Sequence, residues 1–209
     1  MGAVCMVLAS LALAGAYFAY LRAIFKGEVP HPVTIGMWFV WVMLNFLTYR
    51  EFTSLYARIF TYVQVACISL IMLFTLAYIV KLGWKQVSQI ARIDAWDMSM
   101  GIGVVIALGY ATLAHNPKAE NIIAQVVVIP SFVPIAKMSF SRTQRMSQWP
   151  WSLGVLAYAL QGVVAWPDGF AALVYPGVSL VCHVVVWFGA YRTRNLGGKD
   201  AISFSGSGC

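Results

Sequence analysis

Seven runs of apolar residues, each close to the ~20 that a helix needs to cross a bilayer, constrain this chain more than anything else in it. They cover residues 2–21, 33–50, 59–80, 96–114, 121–138, 150–166 and 170–191. Charges and turn formers gather in the short connections between them. Examples are Gly27-Glu28-Val29-Pro30-His31-Pro32, His115-Asn116-Pro117-Lys118 and Trp166-Pro167-Asp168-Gly169. Pro117 and Pro167 sit just past helix ends, where a residue that cannot continue a helix does no harm. With 61% hydrophobic and 10% charged residues, the chain carries more apolar surface than one soluble core can hide. The expectation is an all-α membrane protein with seven transmembrane helices, the lipid bilayer being its first partner.

The N-terminal run contains Ala12-Leu13-Ala14, which resembles a signal-peptidase site, but no Lys or Arg precedes it and the run continues to Arg22. It reads as an uncleaved first helix. Orientation follows from the basic residues. Arg22, Lys26, Lys81, Lys85, Arg92, Lys137, Arg142, Arg145, Arg192, Arg194 and Lys199 lie at or after the ends of the first, third, fifth and seventh runs. Only Arg50, Arg58 and Lys118 lie at or after the ends of the second, fourth and sixth. The positive-inside rule puts the first set in the cytoplasm. The N-terminus is then outside, the C-terminus inside, and the chain a multi-pass protein of the cell (inner) membrane. A net charge of +7 therefore reports orientation, and no basic–aromatic face points to nucleic acid.

A shift of 116 residues places Lys26 on Arg142, each in a loop leading into a helix. It also places Asn45 on Gln161, each a lone amide deep in its run. Two like-oriented three-helix units need an odd number of spans between them. The fourth run supplies that span. The resulting division is a first three-helix repeat at 1–82, a linker helix within 83–116, a second repeat at 117–195 and a disordered Ser/Gly-ending tail at 196–209. Parallel repeats about an axis along the membrane normal are a transporter architecture.

Lys26-Gly27-Glu28-Val29-Pro30-His31-Pro32-Val33-Thr34-Ile35-Gly36-Met37-Trp38-Phe39-Val40-Trp41 resembles the entry to the second helix of PQ-loop-like proteins, with a basic residue, a proline, a Thr and a Trp-x-x-Trp in order. Pro130-Ser131-Phe132-Val133-Pro134, a basic loop and Pro150-Trp151 continue the likeness in the second half. The 3+1+3 layout is similar to SWEET-type sugar transporters and to bacterial vitamin transporters. The Pro-Gln pair that names the group is absent: the first run has no proline, and Ser131 stands after Pro130. The chain thus resembles a prokaryotic branch of this family. The resemblance implies a transporter or facilitator that moves a small polar solute, a sugar, vitamin or other metabolite, by alternating access through a midplane pocket. Pro130 and Pro134 would be its hinge.

Trp38, Trp41 and Asn45 share a helical face with Thr34. A membrane-buried Asn must find partners, in a ligand or in a neighbouring helix, and Trp offers a flat stacking surface or an interfacial anchor. Tyr175, Ser179, His183 and Trp187 recur every four residues. His183 lies mid-run, where an ionisable group is a functional hypothesis by default, the alternative being a neutral His bonded between helices. Gln161, Tyr158, Gln64 and Gln125 add polar groups to three more runs. The expected solute site is Trp38, Trp41, Asn45, Gln161, Ser179 and His183. Asp94 and Asp97 suit a helix N-terminus.

Nothing here reads as an enzyme, a metal site or a cofactor site. His31, His115 and His183 fall at three different depths, no Cys-x-x-Cys occurs, and the last run has no lysine for a retinal Schiff base. The competing expectation is a non-transporting accessory or scaffold subunit of a larger membrane complex, and a homo-oligomer also stays open.

Overall fold

The computed structural model describes residues 2–26, 31–90, 93–113, 116–141 and 146–203. The loop 27–30, Arg92, His115, Arg142, Arg145 and the terminal residues 204–209 lie outside the described residues. Every regular element among the described residues is helical: α1 (Gly2–Phe25), α2 (Pro32–Tyr49), α3 (Leu55–Leu82), α4 (Trp84–Ile90), α5 (Ala95–Thr112), α6 (Pro117–Ser131), α7 (Val133–Phe140), α8 (Trp149–Ala165) and α9 (Phe170–Ser203). A single 3-10 turn, Trp166–Asp168, joins α8 to α9. Five of these rods are long and apolar enough to cross a membrane: α1, α2, α3, the combined Pro117–Phe140 rod and Phe170–Thr193. The protein is therefore an all-helical protein of membrane type.

Helix ends fall where local chemistry puts them. α2 opens with His31 as N-cap and Pro32 in the first position, where its missing N–H is not needed. Asn116 and Pro117 do the same for α6, the Asn116 side chain accepting from the Ala119 N–H at 3.2 Å. At the start of α5, Asp94 accepts from the Asp97 N–H at 2.8 Å and Asp97 accepts from the Asp94 N–H at 3.2 Å. This is a reciprocal cap that satisfies donors the helix leaves open. Gly83 (φ 80°) ends α3 and Gly169 (φ 91°) separates the 3-10 turn from α9, both at backbone angles that favour glycine. Asp168 in that turn accepts from the Ser54 N–H and hydroxyl at 3.0 and 2.9 Å. The α8–α9 corner is thereby tied to the start of α3.

The Pro117–Phe140 rod is broken at Phe132, between Pro130 and Pro134. Pro130 lacks the N–H that would reach back to residue 126, and Pro134 lacks the one that would reach Pro130. The Phe132 N–H turns instead to the Ile129 carbonyl at 3.1 Å, a tightened step that lets the rod bend. α1 runs unbroken over its whole length. Residues 83–116, read as one linker helix, hold two helices, α4 and α5. α9 continues to Ser203, through residues 196–203 of the segment expected to be a disordered tail; no proline interrupts it after Pro176.

α1 packs on α3 and α8, α2 packs on α3, α5 and α6, and α9 packs on α6, α7 and α8. Between them lies a core of fully buried rings, Tyr49, Phe60, Tyr158 and Tyr175. Gly189 sets the α7–α9 distance: a Cβ there would lie 3.0 Å from the Ser139 Cβ.

Candidate functional site

Two polar clusters and one cavity occupy the middle of the bundle. The first cluster joins α2 to α6. Asn45 donates to the Trp41 carbonyl at 3.1 Å. Its Oδ1 accepts from Asn121 Nδ2 at 2.9 Å and from Gln125 Nε2 at 2.7 Å. Gln125 Oε1 in turn accepts from the Trp41 indole N–H at 3.2 Å. Asn45, Asn121 and Gln125 are fully buried. A buried amide group costs free energy unless bonded, and this set is bonded chiefly to itself. The second cluster is centred on Gln64 of α3. Its Nε2 donates to the Tyr158 hydroxyl at 2.7 Å, and its Oε1 accepts from the Tyr175 hydroxyl. Tyr49 donates to the Ala172 carbonyl at 3.0 Å. Four helices are thus stitched together by hydroxyl and amide bonds inside an aromatic shell.

The cavity lies beside these clusters. Its volume is about 50 Å³, enough for water. α1, α2, α3, α8, α9 and the break at Phe132 all contribute to its wall. Aromatic groups dominate: Trp38 and Trp41 from α2, Trp151 and Tyr158 from α8, Tyr17 and Tyr20 from α1. Among its described lining residues there is no Asp, Glu, Lys or Arg. Trp38 packs on Phe132 (centroids 4.9 Å apart) and edge-on to Trp151 (6.1 Å). Its indole nitrogen is buried without a hydrogen-bond partner among the described residues.

His183 closes the cavity on the α9 side. Its ring lies 4.8 Å from Tyr158, 5.4 Å from Phe132 and 5.6 Å from Trp151. Nδ1 is 2.7 Å from the Ser179 carbonyl. A carbonyl only accepts, so Nδ1 carries the proton, and in the neutral ring Nε2 is left as an acceptor. Gly154 makes room for this ring: a Cβ there would lie 3.0 Å from Nε2 and 3.3 Å from Cγ.

Of the six residues expected to form the site, Trp38, Trp41 and His183 line the cavity. Asn45, Gln161 and Ser179 are not among its lining residues. Asn45 turns toward α6, as described. Gln161 turns toward α3, donating to the Ala57 carbonyl at 3.3 Å. Its Oε1 and the Ser179 Oγ are buried without a partner among the described residues. Trp151, which with Pro150 entered only the family likeness, also lines the cavity from the proline-led first turn of α8, as do Tyr17 and Tyr20 of α1, which the expected site left out.

A separate polar contact joins the N-termini of α2 and α5. His31 and Asp97 are both buried, with Nε2 3.6 Å from Asp97 Oδ2. His31 Nδ1 accepts from the Thr34 N–H at 3.4 Å, as the helix cap, and lies 3.1 Å from the Thr34 hydroxyl. The ring is therefore held neutral, its acceptor facing the open end of α2 and its N–H facing a carboxylate. Burial lowers the His31 pKa from its ordinary value, Asp97 and Asp94 partly offset that, and Lys137 adds to the lowering. Asp94 itself is held below the usual carboxylate range, first by the hydrogen bond it accepts from the Asp97 backbone.

A lowered histidine pKa means that the unfolded chain takes up a proton which the folded chain refuses. The His31 contribution to stability is then complete above about pH 6.5, the unperturbed value, and falls as the pH drops below it. The expected result is a melting temperature that declines as the pH falls below about 6.5. In His31→Asn, which keeps a good N-cap but cannot titrate, that decline should be absent. Parallel pH profiles for the two proteins would assign it to another group.

No protein-family profile, no curated protein and no solved structure matches the chain.

Proposed function

We propose that the protein is a seven-span transporter or facilitator for a small polar solute, a sugar, vitamin or other metabolite, in the manner of the PQ-loop and SWEET-like proteins that its sequence resembles. In this reading α5 and α8, of 18 and 17 residues, join the five longer rods as spans. The N-terminus lies outside and the C-terminus in the cytoplasm.

The observation that carries the proposal is a cavity seated between two matched halves. Subtracting 116 from α6–α7 (117–140), α8 (149–165) and the start of α9 (170) gives 1–24, 33–49 and 54. The first half has 2–25, 32–49 and 55 for α1, α2 and the start of α3. Packing follows the same exchange. α1 on α3 answers to α6–α7 on α9, α2 on α3 answers to α8 on α9, and α1 on α8 answers to α2 on α6. Pairs that map onto one another in this way support a twofold relation about the membrane normal, with α5 as the span between the repeats. A cavity of about 50 Å³ is far below the ~300 Å³ and upward of metabolite sites, so this conformation is read as closed around the site. The break at Phe132 is the place where the second half can flex to open it.

Labelled glucose and nicotinamide, offered to vesicles carrying the purified protein, are the first probes. Saturable uptake is expected for at least one of them or for a related ring solute. His183→Phe should lower it roughly tenfold, the value of one hydrogen bond from solute to a buried partner. Orientation is tested by a cytoplasm-active reporter fused after Lys199 and an export-active one after Lys118. Activity of the wrong reporter at either place removes the orientation and the repeat together.

A second reading has its own support. The amides of α2 and α6 are bonded to one another, as a scaffold subunit of a larger membrane complex requires. If no ring solute enters vesicles and the protein co-purifies in fixed ratio with another membrane protein, the scaffold reading takes its place.

A further inference from the structure

A second depression lies between the end of α1 and the start of α8, and it shares no lining residue with the aromatic cavity. Its volume is about 490 Å³. Small residues of α1, Gly15, Ala19 and Ala23, face it one turn apart, and Leu153 of α8 forms part of its wall. At its end stand Arg22 in the last turn of α1 and Lys26 just past the helix end, with Trp149 of α8 also in the wall.

We infer that this groove holds one anionic phospholipid, its phosphate between Arg22 and Lys26 and one acyl chain along the small-residue floor. Three observations carry the assignment. The first is length. From Gly15 to Lys26 the chain rises eleven residue steps, about 16 Å at helical rise, which is close to half of a ~30 Å hydrocarbon core. The groove thus has the depth of one leaflet. The second is the gradient along it, apolar and small at the mid-helix end and doubly basic at the helix end. Trp149, 68% exposed, sits at the basic end, the level that indoles favour at a membrane interface. The third is charge. Both cations are exposed, and neither has an ion-pair partner among the described residues. Arg22 can grip a phosphate with two parallel N–H bonds, while Lys26 adds a point charge. Basic pockets beside membrane helices recognise anionic headgroups through this chemistry. The inference depends on the protein being embedded in a bilayer and not on what, if anything, it transports.

The test uses the full chain purified in mild detergent and exchanged into mixed micelles. One set contains phosphatidylglycerol, a second phosphatidylcholine of the same chain length, and a third inorganic phosphate without added lipid. Retained lipid is counted by native mass spectrometry, and melting temperature is measured in each. The expected result is about one phosphatidylglycerol held per chain, with roughly tenfold preference over phosphatidylcholine. Melting should rise with the anionic lipid only. Arg22→Gln with Lys26→Gln should abolish the preference. Ala19→Leu keeps both charges and fills the floor, so it should lose the bound lipid too. Should the charge variant fail to fold, Ala19→Leu decides. Equal retention of the two lipids, an equal effect of phosphate alone, or undiminished lipid on Ala19→Leu would each overturn the assignment. None of these outcomes touches solute uptake through the aromatic cavity, so a failure here is separate from a failure of the transporter reading.

Discussion

Asn45→Leu is expected to cost about 1–3 kcal/mol of stability while leaving the aromatic wall of the cavity in place. The estimate rests on two lost interhelical bonds, at 2.9 and 2.7 Å. Such bonds average ~0.6 kcal/mol in membrane bundles and reach ~1.7. Asn121 and Gln125 are not wholly stranded, since Asn121 can still reach the Thr48 hydroxyl at 3.5 Å and Gln125 the Asn121 carbonyl at 3.1 Å. That residual satisfaction keeps the cost below the full penalty for two orphaned amides. Gln161→Leu provides the contrast. It lies 116 residues further on, donates to the Ala57 carbonyl, and its own oxygen is without a hydrogen-bond partner among the described residues. Replacing it removes an unsatisfied acceptor along with that bond, so the net change should lie within about 1 kcal/mol. The measurement is denaturant or thermal unfolding of both variants in the same detergent, with Gln125→Leu and the Asn45/Gln125 double variant to close a cycle. Equal losses for Asn45→Leu and Gln161→Leu would mean that the Asn45 cluster does not hold α2 to α6.

That asymmetry shows where the sequence stops being readable. The start of α5 was legible because its cause is local: Asp94 and Asp97 sit where a helix N-terminus wants carboxylates. Pro117, expected just past a helix end, instead opens α6 behind the capping side chain of Asn116. The 116-residue offset rests on spacing alone. Spacing places Asn45 and Gln161 at comparable positions along their helices but leaves open how each helix is rotated about its axis. In the bundle Asn45 faces α6, while Gln161 faces α3. Asn121 drew no notice because it lies in the polar first turns of its run, next to Lys118 and Glu120. The His31–Asp97 contact was hidden for another reason. Asp97 already has a local role in the cap of α5, and only tertiary packing reveals that the same carboxylate reaches a histidine 66 residues earlier. His183 and the Trp38/Trp41 pair were legible because a mid-span ionisable group and two clustered indoles are both uncommon enough in hydrocarbon to need a reason.

Gly154→Ala should be as damaging as any single methyl group added to this protein, and the damage should pass through His183. Gly154 lies on α8, buried, against the imidazole edge. A Cβ at this position would lie 3.0 Å from Nε2 and 3.3 Å from Cγ, closer than carbon and nitrogen normally approach. The ring cannot simply slide away. Nδ1 is tied to the Ser179 carbonyl at 2.7 Å, while Tyr158, Phe132 and Trp151 stand around it. Either α8 moves off α9 or the imidazole leaves its rotamer and its hydrogen bond, and overpacking of this kind costs about 1–3 kcal/mol. Helix propensity pulls the other way, since alanine is favoured over glycine by up to ~1 kcal/mol in a helix interior. A net loss of stability would therefore be a signature of the collision. The second substitution isolates the cause: in Gly154→Ala/His183→Ala the ring is gone, the clash is relieved, and stability should recover relative to the His183→Ala parent. Solute uptake, where it is found, should fall for Gly154→Ala and stay low in the double variant, because relieving the clash does not restore the acceptor nitrogen. If Gly154→Ala proves as stable as the parent protein, or if the double variant is no better than additive, His183 is not held where the structure places it and the cavity loses its only nitrogen acceptor among the described lining.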